Sequence, residues 1–214
     1  MKDYYKLIFI GITFSTFYII IYNIFFYSPI LGYDAESHYL YVDYISRYLP
    51  REIRMPVRLD TREFFNPPFA YLAPSFFQII CRNTIESENL LQACRPIYGT
   101  ATQIFQSIMY IATIAVNLFT LKLFNNSKKI FNTSYLIMIS LLAVNYRTVS
   151  MIRGENYILF FLSIFLYLIL KMEKSNYKFN FKRTIYFGLV IGGLALSRQW
   201  AFFLFLPIII MLFT

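Results

Sequence analysis

Long apolar stretches alternate along the chain with short charged ones. Residues 7–31 carry no Asp, Glu, Lys, Arg or His. Those 25 residues reach about 37 Å as a helix, enough for a tilted crossing of a hydrocarbon core about 30 Å thick. A secretory signal has a shorter apolar core, about 7–15 residues, followed by a small-residue cleavage site. This run continues through Tyr22, Phe25, Phe26 and Tyr27, so a retained transmembrane helix is predicted. Further charge-free runs cover 99–121, 130–146, 156–170, 184–197 and 199–214. The pattern predicts an all-α, polytopic transmembrane bundle of about six spans. The first span is 7–31, a large outer loop follows over 32–98, and the remaining spans occupy 99–214. The last run is still apolar at Phe213 and Thr214. The natural polypeptide is therefore expected to continue, this chain being an N-terminal portion.

The 67 residues of 32–98 are too many for a simple helix connection and call for structure of their own. On a helical wheel, 34–49 gathers Glu36, Asp43 and Arg47 on one side and His38, Tyr41, Val42, Ile45, Tyr48 and Leu49 on the other. An amphipathic helix directly after a membrane exit belongs along the interface, where tyrosines are at home. Pro50 and the charged stretch 51–62 end it. A second apolar helix is predicted over 69–80, entered through the prolines of "FFNPP", and a third, short one over 85–94. Asp34 is a favoured N-cap residue and Glu36 suits the first turn, while Asp43 and Arg47 have the spacing of a local ion pair.

Composition agrees with a membrane protein: 58% of residues are hydrophobic, 21% aromatic and only 14% charged. The net charge of +9 does not imply nucleic acid, because the basic residues form no single patch. All nine lysines fall in three places, at 2–6, 122–129 and 171–182, which alternating spans put on one side. By the positive-inside rule that side is cytoplasmic, with the N-terminus inside and 32–98 outside. Ten of the eleven arginines fall at the other side. Guanidinium is the better bidentate partner for phosphate, which points to an outer surface that handles anions; pairing with the acidic residues of the loop accounts for the same pattern. Cys81 and Cys94 both lie in the loop, where a disulfide and two separate thiols are both compatible with the spacing.

Two runs are short: 184–197 and 156–170 reach only about 21–23 Å as helices. Their flanking charges are drawn toward the membrane. These are Arg147, Arg153, Glu155 and Arg198, with Asn156 and Gln199 beside them. Ionisable groups near hydrocarbon commonly face a cavity, so "RGEN" (153–156) and "SRQW" (197–200) are candidate sites, snorkelling to the headgroups being the alternative. The alternating topology puts both on the same face as Asp34.

The first span followed by "YDAESHYLYVDYISRYLP", then "NPPFAYL", "RGENYILFFLSIFLYLIL" and "GGLALSRQWAFFLFLPIII", resembles the GT-C glycosyltransferases that use lipid-phosphate sugars, closest to the ArnT-like and dolichyl-phosphate-mannose protein mannosyltransferase-like enzymes. The resemblance implies a large outer first loop with interfacial helices, an acidic motif at its start, and catalysis at the outer surface. The family's acidic pair is usually adjacent; here it reads Asp34-Ala35-Glu36. Pro67, Pro68, Phe69 and Tyr71 match the proline motif, and Arg198 matches a basic residue before an aromatic span.

A polyprenyl-phosphate sugar carries its own leaving group, so an enzyme must deprotonate an acceptor hydroxyl and stabilise charge on the departing phosphate. On that resemblance Asp34 is the expected general base, with Glu36 beside it. The same reading places His38, Arg153, Glu155, Asn156, Arg198 and Gln199 in substrate binding. The partners are then a polyprenyl-phosphate sugar donor, a glycan, lipid or protein acceptor and the bilayer, in the manner of a bacterial inner-membrane protein. No cofactor and no metal site are expected, since His38 is the sole histidine. A transporter and a non-catalytic assembly subunit are the competing readings.

Overall fold

The computed structural model describes residues 2–30, 32, 34–49, 51–85, 89–125, 127–144, 150–174, 181–206 and 209. These residues contain no strand. They form α1 (Lys2–Phe26), α2 (Ala35–Tyr48), α3 (Phe69–Thr84), α4 (Leu90–Phe124), α5 (Lys128–Val144), α6 (Glu155–Lys174), α7 (Phe181–Ala195) and a 3-10 helix (Gln199–Leu204).

Three stretches, Lys6–Phe26 in α1, Gln92–Phe124 in α4 and Glu155–Lys174 in α6, are long and apolar enough to cross a membrane. The chain thus has the make-up of a helical membrane protein. The predicted helices of runs 130–146 and 184–197 are present as α5 and α7, with 17 and 15 residues. They reach about 26 and 23 Å, less than a full hydrocarbon core. The described start of the sixth run is the 3-10 helix. α1 stops at Phe26 although its charge-free run goes on, because Pro29 has no amide proton to continue the ladder.

The loop differs from its sequence reading in two places. Among the described residues of 85–94 no separate helix forms: Ile85 caps α3 in extended geometry, and from Leu90 onward the residues are the first turns of the 35-residue α4. The charge-free run 99–121 marks only part of α4, whereas the helix itself begins earlier. Asp43 also does not pair with Arg47. Arg47 is exposed, and the buried Asp43 carboxylate takes two hydrogen bonds from Arg95 of α4, at 3.1 and 2.7 Å.

That pairing reflects how α2 sits. It packs against α3 and reaches α4, so Asp43 of its polar wheel face is buried although Glu36 and Arg47 stay exposed. Toward α3, Tyr41 stacks on Tyr71 with ring centroids 3.8 Å apart, and Gln78 donates to Asp43 at 2.5 Å. Toward α4, Tyr39 packs against Tyr98, whose hydroxyl reaches Asp43 at 3.3 Å. Arg95 completes the network by holding Glu36 at 2.9 and 3.0 Å. Tyr39, Tyr41, Val42, Ile45, Tyr71 and Tyr98 are all 0–1% exposed, which makes this tyrosine-rich wedge the main core. A disulfide between Cys81 and Cys94 ties the end of α3 to the start of α4. The segment 51–66 is pinned to α2 by Thr61 donating to the Ser37 carbonyl at 2.6 Å and Tyr41 donating to the Asn66 carbonyl at 2.7 Å.

Two smaller apolar clusters join the long helices. Ile20, Ile114, Leu118, Ile139 and Leu142 bring α1, α4 and α5 together, and Ile158, Phe165, Phe187, Val190 and Leu194 bring α6 and α7 together.

Candidate functional site

Four separate parts of the chain converge at one end of this bundle: the head of α2, the 61–66 segment with the first turn of α3, the turn before α6, and the turn after α7. Asp34 occupies the N-cap position of α2, yet its side chain makes no capping hydrogen bond. Its carboxylate instead meets Arg153, Nη2 to Oδ1 at 2.5 Å, and lies 3.4 Å from Nε2 of His38. His38 is buried, 1% exposed, one turn further along the helix. Its Nδ1 is 2.8 Å from the Tyr71 hydroxyl, which lies 3.3 Å from Nδ2 of Asn66. With Tyr71 accepting from Asn66, its own proton is free to go to Nδ1 of His38, leaving Nε2–H toward Asp34. Asn66 also donates to the Glu63 carboxylate. Arg198 pairs with Glu155 at 2.7 Å.

Glycine sets the spacing of the two arginine turns. A Cβ on Gly154 would run into the Ser197 carbonyl oxygen and press on Arg198 at 3.0 Å, so the turns touch backbone to backbone. Only glycine allows that approach. It brings Arg153 and Arg198 side by side with 24% and 17% of their side chains exposed. The Nε of each is buried without a hydrogen-bond partner.

The two carboxylates are pushed apart in acidity. Burial raises the Asp34 carboxyl, but the hydrogen bond from Arg153 and the charges of His38 and Arg153 outweigh it and hold Asp34 below the usual carboxylate range. Burial raises Glu63, the Asp34 charge adds to that, and Arg198, Asn66 and Arg153 only partly offset it, so its carboxyl stays above the usual range. Burial dominates at His38 and, helped by Arg153 and Arg198 against the pull of Asp34, lowers it to about 4. At neutral pH the imidazole is therefore uncharged. A site with one firmly ionised carboxylate and one shifted upward has the asymmetry that acid–base chemistry uses.

Of the residues singled out from sequence, the structure brings together Asp34, His38, Arg153, Glu155 and Arg198. It does not add the others to this cluster. Glu36 is 62% exposed in its side chain and belongs to the Arg95 network. Asn156 is buried and donates to Gln106 of α4 at 3.0 Å, and Gln199 is exposed at the start of the 3-10 helix. Arg147 lies outside the described residues. Glu63, Asn66 and Tyr71 are members that the chain's patterning did not reveal as such. The only signal was the polar pair Glu63 and Asn66 enclosing two phenylalanines just before the prolines.

Although no metal site is expected from sequence, Asp34, His38 and Glu63 each offer a ligand atom, all within 4.8 Å of one another. Two carboxylates and an imidazole are donors that a divalent cation such as Zn2+ or Mn2+ accepts. Arg153 and Arg198 supply positive charge at the same place. The chain matches no protein-family model, and the comparisons with curated proteins and with solved structures found no match.

Proposed function

We propose that this chain carries the active site of an integral membrane glycosyltransferase that moves a sugar from a polyprenyl-phosphate donor to an acceptor hydroxyl. The observation that carries the proposal is the ion pair of Asp34 with Arg153 from a distant segment, in a turn packed against the one that holds Arg198, each arginine retaining a buried, unpartnered Nε–H. The acceptor oxygen attacks the anomeric carbon, its proton passes to a carboxylate, and the bond from that carbon to the phosphate oxygen breaks with its electron pair leaving on the polyprenyl phosphate. Asp34 serves as base. In the resting site Arg153 suppresses its basicity, and a donor phosphate that draws Arg153 away restores it. Glu63 takes the role of second carboxylate. His38, held by Tyr71, orients Asp34 and remains neutral.

The reading includes six spans, with the N-terminus and the lysine-rich ends in the cytoplasm and the α2–α3 region outside. The Cys81–Cys94 bridge lies in that outer region, and disulfides persist in oxidising compartments. A bacterial inner membrane, with α2 and α3 near its outer surface, fits these features. A donor-binding measurement tests the phosphate role. Arg198→Ala is expected to weaken binding of polyprenyl phosphates of short and long chain by an equal factor, about tenfold or more for a lost charge-assisted contact. A loss that grows with chain length would assign Arg198 to tail packing and remove the phosphate role.

A further inference from the structure

The Asp34 carboxylate divides its two oxygens between different neighbours. Oδ1 takes the hydrogen bond from Arg153, whereas Oδ2 faces Nε2 of His38 at 3.4 Å. Asp34 and His38 are four residues apart at the head of α2, so both side chains lie on one face of it. Nε2 has no hydrogen-bond partner among the described residues, and it belongs to a side chain only 2% exposed. A buried polar nitrogen left in this state carries a free-energy cost that a bound partner would remove. Glu63 brings a second carboxylate to the same point from the 51–66 segment. One donor atom from each of Asp34, His38 and Glu63 lies within 4.8 Å of the other two.

The surroundings hold these donors as the outer shell of a metal site does. A metal-binding imidazole ordinarily fixes its other ring nitrogen on a neighbouring polar group, and Nδ1 of His38 sits 2.8 Å from the Tyr71 hydroxyl. A phenol accepts as well as donates. It can therefore receive Nδ1–H when the imidazole proton moves from Nε2 to Nδ1, the tautomer that turns the Nε2 lone pair toward the two carboxylates. Asn66 touches Tyr71 and donates to Glu63, which orients the second carboxylate. The charge balance admits a dication: Arg198 is taken up by Glu155, so of the two arginines only Arg153 offsets Asp34 and Glu63.

We propose that Oδ2 of Asp34, Nε2 of His38 and a carboxylate oxygen of Glu63 form a binding site for one divalent transition-metal ion, Zn2+ or Mn2+. The imidazole selects against Mg2+ and Ca2+, which take oxygen ligands. Ligands about 2.0–2.2 Å from such an ion lie about 3–4 Å from one another, so the three donors close in by about an ångström around it. Three protein ligands leave coordination open for water or for an oxygen of a bound molecule. The site rests on this geometry and not on the sugar-transfer reading, and either stands without the other.

The probe is the metal alone, added to the full chain in detergent after chelator stripping, with an affinity tag free of histidine. His38 is the sole histidine of the chain, so pulsed EPR of the Mn2+-loaded wild type reads the site without any variant. The expected signature is a single imidazole nitrogen coupled to the manganese. Calorimetric titration should show Zn2+ binding more tightly than Mn2+, and Mg2+ more weakly than either. His38→Gln and Glu63→Gln should each weaken Zn2+ at least about tenfold, and Tyr71→Phe, which frees Nδ1, about tenfold. Glu36→Gln, whose carboxylate turns to Arg95 instead, should stay within about twofold of wild type. Bound manganese without imidazole coupling, or His38→Gln that binds Zn2+ like wild type, overturns the proposal. Glu36→Gln weakening Zn2+ as much as Glu63→Gln would reduce the binding to loose attraction by acidic groups and equally overturn it.

Discussion

The Asp34 carboxylate and the Arg153 guanidinium meet at 2.5 Å although 119 residues separate them in the chain. Because the α2 N-cap position leaves its side chain uncommitted to the helix, the carboxylate is available to a partner from the turn before α6. This one pair links the first loop to the later helices, and the proposed chemistry depends on it.

Arg153→Ala should remove the donor that meets the phosphate. Sugar transfer is expected to fall about 10²–10³-fold, the range for losing one aimed electrostatic contact. Arg153→Lys keeps charge but not the fork and should recover only part. Single-turnover transfer in membranes, normalised to protein abundance, measures both.

Gly154→Ala tests the approach of the two arginine turns. Its Cβ would meet the Ser197 carbonyl, so the turns must separate. The expected result is a stability loss of about 1–3 kcal/mol together with a fall in transfer out of proportion to it. Thermal inactivation read beside transfer separates the two.

His38 makes stability depend on pH. Its folded value, about 4, lies below the ordinary 6.5, so the unfolded chain takes up the proton first as pH falls. Stability from this residue is complete above pH 6.5, falls between 6.5 and about 4, and then levels off. At about 1.4 kcal/mol per unit the loss is at most about 3.5 kcal/mol. Melting in detergent at pH 7 and pH 4.5 should show a drop that is smaller in His38→Gln.

Arg95→Ala should destabilise by about 3–5 kcal/mol, because it strands the buried Asp43 carboxylate. Glu36→Gln, at the exposed arm of the same network, should change stability by less than about 1 kcal/mol. On this geometry Glu36→Gln also leaves sugar transfer within about twofold, an effect of less than about 0.5 kcal/mol. Chemical denaturation and the transfer assay together decide whether Glu36 serves structure or chemistry.

Helical class and the three longest apolar helices were legible because hydrophobic runs of that length have few other solutions. So were the positions of Asp34, Arg153 and Arg198, since charges at the ends of apolar runs stand out. Partnership was not legible. The wheel of α2 placed Asp43 on a polar face with Glu36 and Arg47, but Asp43 alone of the three is buried, against α3 and α4, and its partner Arg95 lies 52 residues away in sequence. Asp34 and Glu36, two residues apart on a helix, point to different neighbours, so the motif divides between two networks. Glu63 enters the site only because the 51–66 segment folds back on α2, a long-range event with no local periodicity.

The most direct measurement is transfer of radiolabelled sugar from a polyprenyl-phosphate donor, comparing wild type with Asp34→Asn in membranes holding equal amounts of each. The account predicts measurable transfer by the wild type and at least about a 10²-fold loss in the variant, with insertion and abundance unchanged. Transfer by Asp34→Asn at the wild-type rate would contradict it and leave Asp34 as no more than a partner for Arg153.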